Sequence, residues 1–110
     1  MNWFYNNWKR INGYELVKNA SPSPSYNGNL LVDWETYMKR TASNCARCGD
    51  RLQNDKKVGG HVLKEPHSLK FDYYVVPLCS KCNHTSVDDA YWVKKSEMAR
   101  LIDIVHAAQE

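Results

Sequence analysis

No stretch of this 110-residue chain approaches the ~20 consecutive apolar residues that cross a bilayer, so no membrane-spanning helix is expected. The opening Met1-Asn2-Trp3-Phe4-Tyr5 lacks a basic run leading into a long apolar one, so no secretory signal is read. There are no internal repeats, which sets solenoids and propellers aside. Neither sign of charge dominates. Fifteen Lys and Arg against twelve Asp and Glu leave a net charge of +3, a mild balance that permits a nucleic-acid partner without pointing to one. Cysteine is scarce and wholly paired: Cys45 with Cys48 and Cys79 with Cys82, with none left over. Four cysteines allow three disulfide pairings. Without a secretory signal the expected setting is a reducing cytoplasm, which disfavours disulfides and favours a metal.

What is present fits one domain over residues 1–110, with 43% hydrophobic residues and a modest core. Residues 1–29 form an aromatic N-terminal segment followed by a Ser/Pro loop. Trp3, Phe4, Trp8 and Ile11 fall at helical spacing, and Gly13 can end a short helix. Their aromatic side chains are expected to cover the core. Tyr14-Glu15-Leu16-Val17 reads as extended. Ser-Pro alternation and Asn27-Gly28 then mark a loop. Asp33 is the expected N-cap of a helix carrying Trp34, Tyr37, Met38 and Thr41, with Lys39 and Arg40 at its dipole-favoured end.

Between the cysteine pairs, Val58 to Leu63 reads as a strand weakened by Gly59-Gly60 and ended by Pro66. A polar loop with His67 and Lys70 follows. Phe71 to Val76 is the best strand by composition, and the two strands make a β-hairpin. Beyond Cys82 a short helix is expected, with Ser86 and Asp89 as its capping signal. Tyr91-Trp92-Val93 is ambiguous. Residues 96–108 read as a C-terminal helix capped by Ser96, with Met98, Leu101, Ile102 and Val105 on its packed stripe.

Each Cys-x-x-Cys turn offers two thiolates to one point, and Gly49 lets the first turn close. Cys45, Cys48, Cys79 and Cys82 are therefore the expected ligands of a closed structural Zn2+ site. Structural zinc supplies roughly 10–16 kcal/mol of apparent binding energy, so the central region is expected to depend on it. Knuckle, hairpin, then a second knuckle at a helix start is the layout of a small α+β treble clef, here over residues 45–86.

With His61 on the hairpin and the junction Leu78-Cys79-Ser-Lys-Cys82-Asn83, the pattern resembles the HNH endonuclease superfamily, in particular its phage resolvase-like branch with four zinc cysteines. The resemblance covers well under half the chain. It implies His61 as general base on a water, because histidine titrates near neutrality. It implies Asn83 as ligand of a catalytic Mg2+ or Mn2+ that stabilises charge on a scissile phosphate. DNA or another nucleic acid would be the partner. The chain departs from the family at the residue before His61, which is Gly60 where the family carries an acid. Asp55 and Asp72 are the nearest acids in the hairpin region, and Asp88 and Asp89 follow the second knuckle.

Each of these residues also has a structural reading. His61 can hydrogen-bond within the hairpin, Asn83 can cap a helix or donate to a cysteine sulfur, and His84 can face solvent. Gly59-Gly60 can serve close backbone approach. His67 and His106 carry no assigned role. Arg47, Arg51, Lys56, Lys57, Lys64, Lys70 and Lys81 give the central region a basic tilt suited to phosphates. The function expected is thus a zinc-binding HNH-like protein: a divalent-metal-dependent endonuclease or a degenerate relative. The alternative is a non-catalytic zinc-stapled module that binds nucleic acid or protein.

Overall fold

A computed structural model describes residues 3–21, 23–65 and 72–109. Residues 66–70 of the expected polar loop Glu65–Lys70, with Pro66, His67 and Lys70, and the strand residue Phe71 lie outside these. The chain runs α1 (Trp3–Ile11), β1 (Tyr14–Asn19), α2 (Leu30–Met38), β2 (Lys57–Lys64), β3 (Tyr74–Cys79), β4 (Tyr91–Lys94), β5 (Ala99–Arg100) and α3 (Leu101–Ala108). All five strands pair antiparallel in one sheet of order β4-β1-β2-β3-β5. The result is a small α+β fold. Among the described residues no helix is long and apolar enough to cross a membrane.

A β2–β3 hairpin forms as expected, but its second strand runs Tyr74–Cys79 rather than Phe71–Val76, reaching the second knuckle itself. Its register pairs Val58 with Leu78, Gly60 with Val76 and Val62 with Tyr74. Successive side chains on a strand leave by opposite faces. Adjacent Val75 and Val76 accordingly enter different apolar clusters. Val76 joins Val17, Val62, Leu78, Tyr91 and Val93 beside Cys45 and Cys82. Val75 joins Leu30, Leu31, Trp34, Ala99 and Ile104 under the helices. One face of the sheet thus carries the cysteine knuckles and the other carries α2 and α3.

The glycine pair sits where both faces are approached closely. A Cβ at Gly59 would meet the Leu31 backbone nitrogen at 3.0 Å and the Leu30 carbonyl carbon at 3.1 Å. A Cβ at Gly60 would meet Leu78 Cδ1 at 2.4 Å and Asn83 Oδ1 at 2.9 Å. Neither position tolerates a side chain without movement of a neighbour.

Four further expectations are corrected. The N-cap of α2 is Asn29, whose side chain accepts from the Val32 N–H at 3.1 Å. Asp33 instead accepts from the Tyr26 hydroxyl. The helix starts early because Leu30, Leu31 and Trp34 are all buried on the helical face. It ends at Met38, with Lys39 in the left-handed conformation, so Thr41 lies beyond it. Second, no helix follows Cys82; residues 83–90 form turns and bends, and the ambiguous Tyr91-Trp92-Val93 becomes β4. Burial of Tyr91 and Val93 beside β1 accounts for the strand.

Third, the C-terminal helix spans 101–108 and not 96–108. A short 3-10 turn at Lys95–Glu97 and strand β5 precede it, because Ala99 is buried opposite Val75. Its fully buried residue is Ile104, whereas Ile102 of the expected stripe is exposed. Finally, α1 forms and Gly13, at φ +88°, ends it, but none of its residues is buried. It meets the sheet through Tyr5, Lys9 and Arg10. Tyr5 sets its ring edge-on to Trp92, Lys9 lies 4.2 Å over Tyr14, and Arg10 lies 5.6 Å over Trp92. The aromatic side chains expected to cover the core point outward.

Candidate metal centre and the adjoining cavity

The four cysteine sulfurs converge. Their Sγ atoms all lie within 4.8 Å of one another, and Cys48 and Cys79 are 4.0 Å apart. Four sulfurs about 2.3 Å from a central zinc would be about 3.8 Å apart in a tetrahedron. The cluster therefore has the size and donor set to hold one metal ion. None of the four is in a disulfide.

Backbone hydrogen bonds explain the convergence. Cys45 N–H donates to Asp50 O at 2.8 Å and Gly49 N–H to Cys45 O at 2.9 Å, closing the first turn, with Gly49 at φ +82°. Ala46 N–H donates to Pro77 O at 2.8 Å, which docks this knuckle on β3 two residues before Cys79. The second knuckle is tied to the hairpin by Ser80 N–H to Lys56 O at 2.9 Å, and Asn83 N–H closes onto Cys79 O at 3.1 Å.

The electrostatics also favour a cation at the centre. Desolvation and the neighbouring thiols of Cys45 and Cys82 push the Cys48 thiol up to about 12, and desolvation raises Cys82. At Cys45 burial is outweighed by backbone hydrogen bonds at Cys48, Cys79 and Arg47, and its pKa falls below the ordinary thiol value. Thiols packed this closely resist joint ionisation until a metal neutralises them.

Two supports of the cluster were not legible in the sequence. Arg47 Nη1 donates to Cys82 Sγ at 3.6 Å, while its Nη2 pairs with Asp89 at 3.5 Å and its guanidinium lies 5.4 Å over the Tyr91 ring. It places a positive charge beside a thiolate, as groups bordering metal ligands do. Asn19, from β1, donates to the Cys82 carbonyl at 3.0 Å and accepts from the buried Tyr91 hydroxyl. The Arg47 signal lay inside the first knuckle, but its target 35 residues away could be found only from the fold.

Beside the cluster lies a cavity of about 360 Å3. Its lining includes His61, Asn83, His84, Asp88 and Lys18. His61 and Asn83, the two residues singled out on the hairpin and after the last cysteine, thus both border this cavity. Asp88 is the one carboxylate of that lining among the described residues. Asp72 is instead paired with Arg100 at 3.4 Å, and Asp55 lies exposed in a turn.

The approach is asymmetric. Position 60 points at Leu78 and Asn83, so strand alternation sends His61 to the opposite face. There its ring meets Tyr73 edge-on at 6.4 Å. Its Nε2 is buried without a hydrogen-bond partner among the described residues, and burial lowers its pKa below the ordinary histidine value. Asn83 caps no helix, and among the described residues the donor to a cysteine sulfur is Arg47. His84 is exposed, with Nδ1 bonded to the Ser86 backbone and hydroxyl. His106 is exposed on α3, away from the cavity. Compared with protein-family models, curated proteins and solved structures, the chain matches none.

Proposed function

We propose that this protein is a zinc-stapled, HNH-like module, derived from a treble clef, that binds nucleic acid without cleaving it. One observation carries the non-catalytic half. The position where the resemblance calls for a metal-holding acid is filled by Leu78 and Asn83, which leave no room for a Cβ. Zinc is the metal inferred because four thiolates at tetrahedral spacing suit it and leave no open coordination position for chemistry. Cysteines free of disulfides also fit a reducing, cytoplasmic setting.

Binding is inferred from exposed cations at the hairpin end nearest the cysteines. Lys56 and Lys81 are both exposed there, on the two chain segments joined by the Ser80 N–H to Lys56 O bond, and exposed Arg51 follows the first knuckle. Such charges contact phosphates without reading sequence. The test is fluorescence anisotropy with labelled single- and double-stranded DNA and RNA over a salt series. Binding should weaken with salt, and the Lys56→Ala/Lys81→Ala double variant should lower the salt slope by about two. No binding at low salt would end this reading.

The nuclease reading has one observation in its favour, since His61, Asn83 and Asp88 line one cavity. In that case His61 would serve as base and Asn83 as ligand of Mg2+ or Mn2+. Plasmid nicking that requires either cation and is lost in His61→Ala would replace the binding proposal with this one.

A further inference from the structure

Helix α1 is attached to the body with its polar side inward. At about 100° per residue, Phe4, Trp8 and Ile11 fall within about 60° of arc at i, i+4 and i+7. All three are strongly exposed, at 75%, 57% and 83%, and Trp3 beside them is 68% exposed. Trp3 meets Phe4 edge-on at 4.9 Å, extending the patch at its N-terminal end. A surface helix ordinarily buries such a row against the core. Here the sheet is met by Tyr5, Lys9 and Arg10.

The cations of the helix turn chiefly to that inner side. Lys9 lies over Tyr14, and Arg10 lies over Trp92 and donates to Glu65 O at 3.5 Å. The two asparagines flanking the row are also committed. Asn7 donates to Trp3 O at 2.8 Å and Asn12 to Trp8 O at 2.7 Å. Among the described residues the row itself is therefore apolar, with Lys9 at its edge, 5.9 Å from the Trp8 ring. Nucleic acid and anionic lipid would call for a run of cations along the rim, and among the described residues Lys9 alone lies over a ring of the row. The face suits a surface of its own kind.

We propose that this face pairs two copies of the chain, α1 against α1 about a two-fold axis. In an isologous contact each copy supplies the same patch, so an apolar row meets an apolar row. The spacing i, i+4, i+7 is that of a helix–helix seam. With roughly 150–250 Å2 on a full aromatic side chain, the four exposed side chains carry on the order of 600 Å2. Two such faces together remove about 1,200 Å2, the lower bound of a specific interface, which makes the dimer a weak and concentration-dependent one.

The test is sedimentation equilibrium of the zinc-loaded full chain in reducing buffer, over a concentration series. The wild type should rise from the 12.8 kDa chain mass toward twice that value. About a tenfold increase in salt should not reverse the rise, since no ion pair is involved. Phe4→Ser/Trp8→Ser should remain at monomer mass, while Ile102→Ser, on the exposed side of α3, should behave as wild type. Circular dichroism and metal content check that the variants are folded; none of the α1 residues changed is buried. Should the double variant lose its fold, Ile11→Lys reads the same contact. A wild type that stays monomeric at every concentration overturns the proposal, as does a dimer that survives both α1 variants.

Discussion

An acid placed at position 60, where the resemblance to HNH endonucleases calls for one, should damage this protein without conferring cleavage. Gly60 has no left-handed φ, so a side chain there meets no backbone penalty and the substitution reports on space alone. A single methyl would stand 2.4 Å from Leu78 Cδ1 and 2.9 Å from Asn83 Oδ1. Leu78 is fully buried and cannot swing into solvent. Overpacking of this kind costs about 1–3 kcal/mol. Reduced freedom of the unfolded chain returns about 0.4–1 kcal/mol, so Gly60→Ala should lose about 1–2 kcal/mol. Gly60→Asp adds the burial of a carboxylate beside an acceptor oxygen, worth a further 1–3 kcal/mol or so. The aspartate variant should therefore lose about 2–5 kcal/mol. The assay is equilibrium urea unfolding with free zinc held constant, because bound metal adds its own stabilisation. A loss near 3 kcal/mol moves the midpoint by about 2 M. A Gly60→Asp protein within about 0.5 kcal/mol of wild type would refute the packing argument. So would a variant that gains magnesium-dependent nicking.

Three further outcomes follow from the same geometry. Arg47→Met removes the donor to Cys82 and the partner of Asp89, and should weaken metal affinity about 10–100-fold in a competitive chelator titration; unchanged affinity would make Arg47 mere surface. His61 is held below its ordinary pKa of 6.5 by burial, so the folded chain binds fewer protons than the unfolded one between those two values. Stability should therefore rise with pH through that window and begin to fall as pH drops below about 6.5. His61→Gln should lack this component, and parallel unfolding-midpoint profiles for the two proteins between about pH 5 and 7.5 would contradict it. Asn29→Ala leaves the Val32 N–H without its cap and should cost about 1 kcal/mol by the same urea assay, whereas Asp33→Ala should leave that cap intact.

The hairpin and both knuckles were legible because their signals are local. Cys-x-x-Cys spacing, Gly49 and the Val-rich strands act over a few residues. Gly59-Gly60 was legible as a place of close approach, but what approaches each side was not. That depends on α2 crossing one face and on Leu78 and Asn83 filling the other. The same limit explains the missed cap. Asp33 and Asn29 both suit the role, and burial of Leu30 and Leu31 decides between them. Beyond Cys82 the capping pattern Ser86 to Asp89 suggested a helix. The pairing of Tyr91–Lys94 with β1, more than 70 residues earlier, draws the chain into a strand instead. Helix α1 shows the limit most plainly. Its periodicity reveals an apolar row but not whether the row faces in or out. The answer lies in Tyr14 and Trp92, whose rings hold Lys9 and Arg10 against the sheet.

One metal ion shared by Cys45, Cys48, Cys79 and Cys82 is the staple on which the fold is expected to depend. Native mass spectrometry of protein purified without added metal, followed by chelation under circular dichroism, tests it most directly. One zinc per chain is expected, with loss of sheet structure as the chelator removes it and recovery on return of zinc. A metal-free chain that keeps its folded spectrum, or a Cys82→Ser variant as stable as wild type, would contradict it.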